Sequence, residues 1–214
     1  MEKRMGIQER KIREKEERRR QIMEAAKLVF SAKGFNRATM EEIAGEAELS
    51  PGTLYLYFKN KEELHTSLSI DILTYLTQQI REFVDETTLS PEAKLYALRD
   101  AFIDVYEYDA MVLINLFHLQ SGETLQNLSG EVLEQIKETS ADALGAITSI
   151  VQEGIDQGVF AKKHPVALAD IIWATYSGVV LWVDSKRLLN NEKDFVKQTL
   201  DTAFQIIISG LKNL

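Results

Sequence analysis

The stretch TMEEIAGEAELSPGTLYLYFKNKEEL, residues 39–64, decides the fold of this chain because it carries closely spaced signals for the start of helices. Thr39 is followed three residues later by Glu42, the spacing of a capping box, in which each side chain accepts a hydrogen bond from a backbone N–H group. Ser50 stands directly before Pro51, and proline is favoured at the first position of a helix because it loses no hydrogen bond there. Each signal therefore predicts the beginning of a new helix.

A third start signal follows, in which Asn60 caps a helix with Glu63 three residues later. The segments between the signals are short, and short helices persist only when they pack against other elements. Two short helices joined by a tight turn indicate a helix-turn-helix, whose second helix begins at Ser50. The apolar residues that can supply the packing are Ile43, Ala44, Ala47, Leu49, Leu54 and Phe58.

The same stretch resembles the DNA-binding signature of the TetR family of transcriptional regulators. The residues that carry the resemblance are Thr39, Ile43, Ala44, Ala47, Ser50, Gly52 to Tyr55, Tyr57 to Glu62, and Leu64. Glu48 stands where the family usually has glycine in the turn, and a left-handed backbone there costs a glutamate about 1 kcal/mol. The resemblance covers about the first third of the chain.

The resemblance and the residue types together indicate how this stretch would bind DNA. The first turn of the second helix has small side chains, which allow its backbone to approach base edges, and this helix has no Arg, Asn or Gln for bidentate pairing with guanine or adenine. Contacts with thymine methyl groups and the shape of the DNA are therefore expected to carry much of the specificity. The resemblance implies that Thr39, Tyr57 and Lys61 hold the DNA backbone and that Gly52, Thr53 and Tyr55 face the groove. The full set of candidate DNA-binding residues is Thr39, Ser50, Pro51, Gly52, Thr53, Tyr55, Tyr57, Lys59 and Lys61.

The charge of the chain is distributed unevenly. Residues 1–64 hold 14 of the 25 Lys and Arg residues and 12 of the 33 Asp and Glu residues, a balance of +2, whereas residues 65–214 carry −10. This asymmetry places phosphate affinity in the N-terminal part. The first 20 residues hold nine basic and five acidic side chains and belong to a helix predicted from about residue 8 to Ala32. They are either a solvated helical extension or a basic arm that reaches DNA phosphates, with Arg18, Arg19 and Arg20 as candidates.

The composition excludes several classes of protein. No cysteine is present, which excludes disulfides and thiol catalysis and fits a reducing compartment. We expect a soluble cytoplasmic protein without membrane contact, because the N-terminus is charged and no apolar run reaches the ~18 residues of a membrane span. No nucleophile–base set, glycine-rich phosphate loop or paired histidine spacing is present, so the sequence predicts neither an enzyme nor a bound cofactor or metal.

The remainder of the chain is predicted to be helical throughout, which makes the protein all-α. A long helix from Leu64 to Val84 leads to Ser90, a cap followed by proline, and the helix that opens at Pro165 is apolar almost all round and is expected to be buried on most sides. The last two helices carry more apolar surface than one core is expected to hold, which predicts a homodimer; the resemblance implies the same. The residues that we expect to be hard to place in one core are Val180, Leu181, Val183, Phe204, Ile207 and Ile208.

Aromatic and polar side chains recur on the later helices and predict a small-molecule site. An apolar cavity with a few polar groups is the usual form of such a site, although a packed core is the alternative. The candidate ligand-binding residues are Phe102, Tyr106, Phe117, His118, Gln120, Trp173 and Tyr176. The effector would be a small lipophilic molecule. A faint resemblance to fatty-acid-responsive members of the family implies a fatty acyl-CoA, whereas the acidic second domain disfavours an anionic headgroup and leaves cationic or neutral lipophiles open.

These observations predict two domains and one function. Residues 1–64 form a three-helix helix-turn-helix domain with a basic extension, and a connector helix joins it to a helical ligand-binding and dimerisation domain, residues 65–214. The function is that of a homodimeric, ligand-responsive transcriptional regulator, a repressor that binds a near-palindromic operator in double-stranded DNA and is released by its effector. The alternative is an all-α small-molecule binding protein with vestigial DNA binding.

Overall fold

The computed structural model describes residues 2–120, 130–190 and 195–213. Within these ranges the chain forms helices and no strand, which confirms the prediction of an all-α fold. The helices are α1 (Glu2–Lys33), α2 (Met40–Glu46), α3 (Pro51–Tyr55), α4 (Lys61–Val84), α5 (Pro91–Gln120), α6 (Gly130–Asp156), α7 (Pro165–Asn190) and α8 (Val196–Asn213). They divide into two compact units, the first built mainly from Met1–Leu68 and the second mainly from Ser69–Leu125 and Leu133–Leu214.

The helix starts of the first unit follow the predicted caps. Thr39 and Glu42 form a complete capping box at the start of α2. The side chain of Ser50 accepts a hydrogen bond from the N–H of Thr53, with proline in the first turn of α3. At α4 the pattern differs slightly, because Asn60 accepts from the N–H of Glu63 at 2.7 Å while the Glu63 carboxylate accepts from the residue before Asn60.

The turn between α2 and α3 has the left-handed residue that the resemblance implies. Glu48 has a φ of 55°, and Leu49 donates its N–H to the Ala44 carbonyl at 2.8 Å, which closes the end of α2. Gly45 in α2 is exposed, and among the described residues no atom lies within 4 Å of an added Cβ there.

Helix α1 is longer at its N-terminus than predicted. It begins at Glu2 rather than near residue 8 and ends at Lys33, after which Gly34, with a φ of 75°, terminates the helix. Its surface carries local ion pairs, such as that of Arg20 with Glu17 at 2.6 Å. Pairs one turn apart add support to an exposed helix.

His65 of α4 belongs to the core of the first unit. It is 7% exposed, and its ring lies 5.3 Å from that of Phe30 on α1 and 4.6 Å from that of Phe35. Burial lowers the pKa of His65 to about 4. The folded chain therefore holds this side chain neutral, whereas the unfolded chain binds a proton below about pH 6.5.

This difference predicts a loss of stability in mild acid. The contribution of His65 is fully present above pH 6.5 and is lost as the pH falls from 6.5 towards 4, because only the unfolded state gains a proton there. Between pH 7.5 and pH 5 we expect the His65→Leu variant to lose about 2 kcal/mol less unfolding free energy than the wild type, measured by urea denaturation. His164→Gln, at an exposed histidine, is the matched control and should behave as wild type. Equal pH dependence of all three proteins would contradict the assignment.

The second unit has a core in which α5, α7 and α8 pack against one another. Helix α5 is interrupted at Asp109, whose φ of −158° and ψ of 81° are not helical, and whose carboxylate accepts from the N–H of Val112 at 3.0 Å. Asp109 therefore caps the second half of the helix. Lys94 is buried and donates to the Val84 carbonyl and to Glu153 on α6, each at 2.7 Å.

Helix α7 is buried on one side only, so the prediction of burial on most sides is wrong for the single chain. Its inward residues are Ala169, Ile172, Tyr176, Val180 and Val183. On its outer side Ile171 is 53% and Trp182 is 60% exposed. By length and composition, Pro165–Arg187 could cross a membrane, which corrects the expectation that no segment would be apolar enough. The core helices of soluble proteins meet the same criterion.

The apolar excess of the last two helices lies at other residues than expected. Val180, Val183, Phe204 and Ile208 are buried in the core of the unit, so the expectation that they could not be placed there is wrong. Helix α8 turns Phe204 and Ile208 inward at a spacing of four, and the opposite side exposes Ile206, at 67%. The exposed apolar residues of α7 and α8 are thus on their outer sides.

Candidate nucleic-acid interface

Helix α3 is held in the first unit by its apolar side. Leu54 and Phe58 have no exposed surface, and Phe58 packs beneath the guanidinium of Arg19, whose carbon lies 4.4 Å from the ring centre. At the start of the helix the hydroxyls of Ser50 and Thr53 lie 2.8 Å apart. Because the anchoring residues face inward, the other side of α3 faces solvent.

Five of the candidate DNA-binding residues lie on the solvent side of α3 or at its end. Pro51, Gly52 and Tyr55 are exposed, whereas Thr53 and Tyr57 are half-buried. The structure therefore brings the five together on one short helix and its end. A helix that offers small side chains at its N-terminus and an aromatic side chain one turn later fits the approach of a recognition helix to a major groove.

Leu56 is an exposed residue of this surface that the sequence interpretation missed. It is 80% exposed and lies between Tyr55 and Tyr57. The available signal was the spacing of Leu54 and Phe58, since two inward residues four apart turn the first two positions between them, Tyr55 and Leu56, to the outside of the helix. An exposed leucine beside an exposed tyrosine adds apolar surface suited to thymine methyl groups.

Thr39 and Lys59 flank the recognition helix in the sequence and are both exposed. The Thr39 hydroxyl accepts from the N–H of Glu42 at 3.2 Å and is exposed at the start of α2. The ammonium group of Lys59 makes no ion pair within the described residues, and it precedes the N-terminus of α4. Both side chains are thus placed to bind phosphate oxygens.

Lys61 is half-buried and has a structural role. Its Nζ donates to the carbonyls of Phe35 at 2.7 Å and Ala38 at 3.0 Å, and lies 4.5 Å from the centre of the Phe35 ring. Two of the three N–H groups of the ammonium therefore fasten α4 to the segment between α1 and α2. The carbonyl of Asn36 lies 3.5 Å from the same Nζ, so a direct hydrogen bond to phosphate has to replace this longest contact.

The two lysines predict different results when they are replaced by alanine. Lys61→Ala should lower the free energy of unfolding by about 2 kcal/mol, because two half-buried carbonyls lose a charged donor. It should also lower the dependence of log K on log salt concentration in DNA binding by about one. Lys59→Ala should change the salt dependence similarly but not the stability. Denaturation and salt titration measure the two effects, and an unchanged salt dependence for Lys61→Ala would confine Lys61 to its structural role.

The three consecutive arginines of α1 point in different directions. Arg19 donates to the hydroxyl of Ser67 at 2.8 Å and covers the Phe58 ring, so it is part of the fold. Arg20 pairs with Glu17, and Arg18 donates to Gln21 at 2.8 Å. Of the three, Arg18 and Arg20 remain exposed.

The predicted ligand-binding residues of the second unit form a tight aromatic cluster. The rings of Phe102 and Tyr176 are stacked 3.9 Å apart and nearly parallel. Trp173 lies 6.2 Å from Phe102 and 5.8 Å from Phe117, in edge contacts. The rings pack directly against one another, which is the packed-core arrangement; a ligand has to separate them or lie beside them.

Two tyrosines of the cluster are buried. Tyr176 donates its hydroxyl to the Phe102 carbonyl at 2.9 Å, and burial, with a smaller effect from Tyr106, raises its pKa well above 10. Tyr106 is 8% exposed. The side chains of His118 and Gln120, also predicted at this site, are not among the side chains that the structure describes. Among the residues that are described, no group of three His, Asp or Glu side chains could hold a metal ion.

A helix that is capped at its start, anchored by two apolar residues and exposed on its other side is the arrangement found in the class of helix-turn-helix transcriptional regulators. Residues 22–68 match the family model of bacterial regulatory proteins of the tetR family. The uncharacterised HTH-type transcriptional regulator YfiR of Bacillus subtilis (strain 168) is 30% identical over 155 residues, which are 72% of this chain and 73% of that protein. The chain belongs to the TetR family.

Two further similarities extend over nearly the whole chain. The fatty acid metabolism regulator protein of Bacillus subtilis (strain 168) is 25% identical over 204 residues, which cover 94% of this chain and all of that protein. The crystal structure of the transcriptional regulator FadR from Bacillus subtilis in complex with stearoyl-CoA has a TM-score of 0.69 at 23% identity, and covers 89% of this chain and 97% of that one. The second similarity shows that the two chains share a fold.

Proposed function

We propose that the protein is a homodimeric transcriptional repressor that binds a near-palindromic operator and is released by a small lipophilic effector. The observation that carries the proposal is the exposed side of α3, which is rigidly anchored by Leu54 and Phe58 yet offers its first turn and Tyr55 to solvent. We assign DNA binding to residues 1–64 and effector binding and dimerisation to residues 65–214. Both activities belong in the cytoplasm, where the operator is.

The contacts divide by chemistry. Gly52, Thr53 and Tyr55, joined by Leu56, face the bases and read thymine methyl groups and groove shape. The residues that position the protein on the phosphates are Thr39, Tyr57, Lys59 and Lys61, and Ser50 and Pro51 set the start of the recognition helix.

The outer sides of α7 and α8 supply the dimer interface. Ile171, Trp182 and Ile206 are each more than half exposed in the single chain, and together they form apolar surface that a second copy would cover. A two-fold dimer presents two recognition helices to two half-sites, which explains why the operator should be near-palindromic.

The effector that we favour is a long-chain fatty acyl-CoA. Its support is the similarity over 94% of the chain to a fatty acid metabolism regulator, together with the shared fold of the stearoyl-CoA complex. The acyl chain would enter at the aromatic cluster around Phe102 and Tyr176, where apolar side chains from α5, α7 and α8 converge. Release from DNA requires tighter binding of the effector to a conformation that does not fit the operator.

Three measurements test the proposal. Native mass spectrometry of the purified protein should show a dimer, and selection from genomic DNA should enrich a near-palindromic duplex. Stearoyl-CoA added to the complex should release that duplex, whereas free coenzyme A should not. Failure to prefer any duplex, despite a bound small molecule, would favour a binding protein with vestigial DNA binding. Release by a neutral or cationic lipophile alone would keep the repressor and replace the effector.

A further inference from the structure

The N-terminal half of α1 continues well beyond the helices that it supports. Every side chain from Gln8 to Arg18 is exposed, and the first contacts of α1 with α4 in the described part of the chain are those of Arg19. At 1.5 Å per residue, the exposed segment is about 15 Å long. It also precedes residues 22–68, which match the family model, so its role is not given by that match.

One face of this segment is predominantly basic, and the acidic residue nearest to it, Glu14, is paired with Arg10 at 3.2 Å. Lys11, Lys15 and Arg18 recur at a spacing of four and three and therefore form one stripe along the helix. Neither of the two lysines makes an ion pair within the described residues. The opposite face is balanced, because Glu9 and Glu16, seven residues apart, lie there among further arginines.

The basic stripe continues the face of α1 that packs against the rest of the first unit. Ile22 lies four residues after Arg18 and Val29 lies seven residues after Ile22, so both buried side chains are on the same face of the helix as the stripe. The stripe therefore points to the side of the axis on which the helix-turn-helix lies. Because the helix is continuous, Lys11 and Lys15 extend beyond the edge of the first unit on that side.

The point at which the extension leaves the domain lies beside the recognition helix. Gln21 donates its side-chain N–H to the carbonyl of Ala47 at 2.8 Å, and Arg18 in turn donates to Gln21 at 2.8 Å. Ala47 comes three residues before Ser50, the cap of α3. The N-terminal end of a recognition helix is the end whose residues contact base edges, so the extension leaves at the DNA side.

We propose that the stripe of Lys11, Lys15 and Arg18 binds the sugar–phosphate backbone of the duplex next to the half-site that α3 contacts. The proposal rests on the DNA-binding function proposed above. Phosphate is the fitting partner because the stripe offers cationic donors and no apolar anchor, and because it continues the face of the DNA-binding unit. Contacts of this kind add affinity for any duplex sequence.

The test compares two double variants that remove the same charge from opposite faces of one helix. Lys11→Gln with Lys15→Gln should lower the slope of log K against log salt by about two per protomer, on the operator and on a duplex of unrelated sequence alike. The affinity at ~0.1 M salt should fall on the order of tenfold. Arg13→Gln with Arg20→Gln, on the opposite face, should retain most of the slope. Circular dichroism checks that both variants keep the helix and the melting temperature.

The outcomes separate this proposal from the one on which it rests. Equal losses in both double variants would reduce the effect to net charge and overturn the stripe as a contact. Wild-type salt slopes in both double variants would also overturn the proposed contact. In that case, weaker operator binding by the Tyr57→Phe variant would still support the proposed repressor function. If the wild type preferred no duplex at all, the proposed function and this inference would fail together.

Discussion

Replacing Ile206 by glutamate should convert the protein from a dimer into a monomer at micromolar concentration. Ile206 is 67% exposed on the outer side of α8 in the single chain, whereas Phe204 and Ile208 beside it are buried. A carboxylate in an apolar interface without a partner costs several kcal/mol, and two-fold symmetry places the substitution in the interface twice. We expect the dimer to weaken on the order of a hundredfold or more, as measured by sedimentation equilibrium.

The same variant should lose operator binding without losing the DNA contacts themselves. A monomer presents one recognition helix, so the second half-site no longer gains from being held on the same molecule. Operator affinity should fall on the order of a hundredfold or more, while the weak binding to unrelated duplexes should change little. Met111→Glu, at an exposed apolar residue of α5, is the control and should stay dimeric. If Ile206→Glu remains a dimer with wild-type operator affinity, the outer side of α8 is not the interface.

Replacing Gly52 by alanine should stabilise the free protein and weaken its binding to the operator. An added Cβ would meet only the Ser50 hydroxyl, at 3.9 Å, which is an ordinary contact. The backbone of Gly52 is helical, so alanine should raise the free energy of unfolding by up to about 1 kcal/mol. On the operator the same methyl group occupies the space through which the backbone approaches the bases, and affinity should fall on the order of tenfold or more.

The opposite signs of the two effects make this prediction sensitive. Gly145→Ala, at an exposed helical glycine of α6 with nothing within 4 Å, should give the gain in stability alone. Gly52→Gln should weaken operator binding further than alanine, because the added side chain is larger. Operator affinity that is unchanged in both Gly52 variants would remove this residue from the interface, whatever happens to stability.

The local structure of the recognition region could be predicted from the sequence because each signal acts within a few residues. The cap at Thr39 needs only Glu42, and the resemblance, in which glycine usually occupies this turn, implies the left-handed residue at Glu48. Pro51 after Ser50 fixes where α3 begins. The capping hydrogen bonds join residues three positions apart, so the residue types within a short stretch indicate them.

Properties that depend on distant parts of the chain were harder to predict. Lys61 holds the carbonyls of Phe35 and Ala38, more than twenty residues earlier, and no spacing in the sequence shows that contact. The one-sided burial of α7 was missed because its composition is apolar all round, and only the packing of α5 and α8 selects the inward face. An apolar sequence likewise does not reveal whether Phe102 and Tyr176 touch or leave a cavity between them.

Several hydrogen bonds that hold this protein together share a feature that bears on how its sequence can evolve. Lys61, Gln21, Lys94 and Tyr176 each donate to a main-chain carbonyl, and Lys94 also pairs with the Glu153 carboxylate. A carbonyl group is present whatever side chain occupies the position, so the exchange of an accepting residue leaves the acceptor of the hydrogen bond in place. A lineage that inherits the four donors is therefore free to alter its turns and its exposed recognition surface, and to acquire new operators while the frame persists.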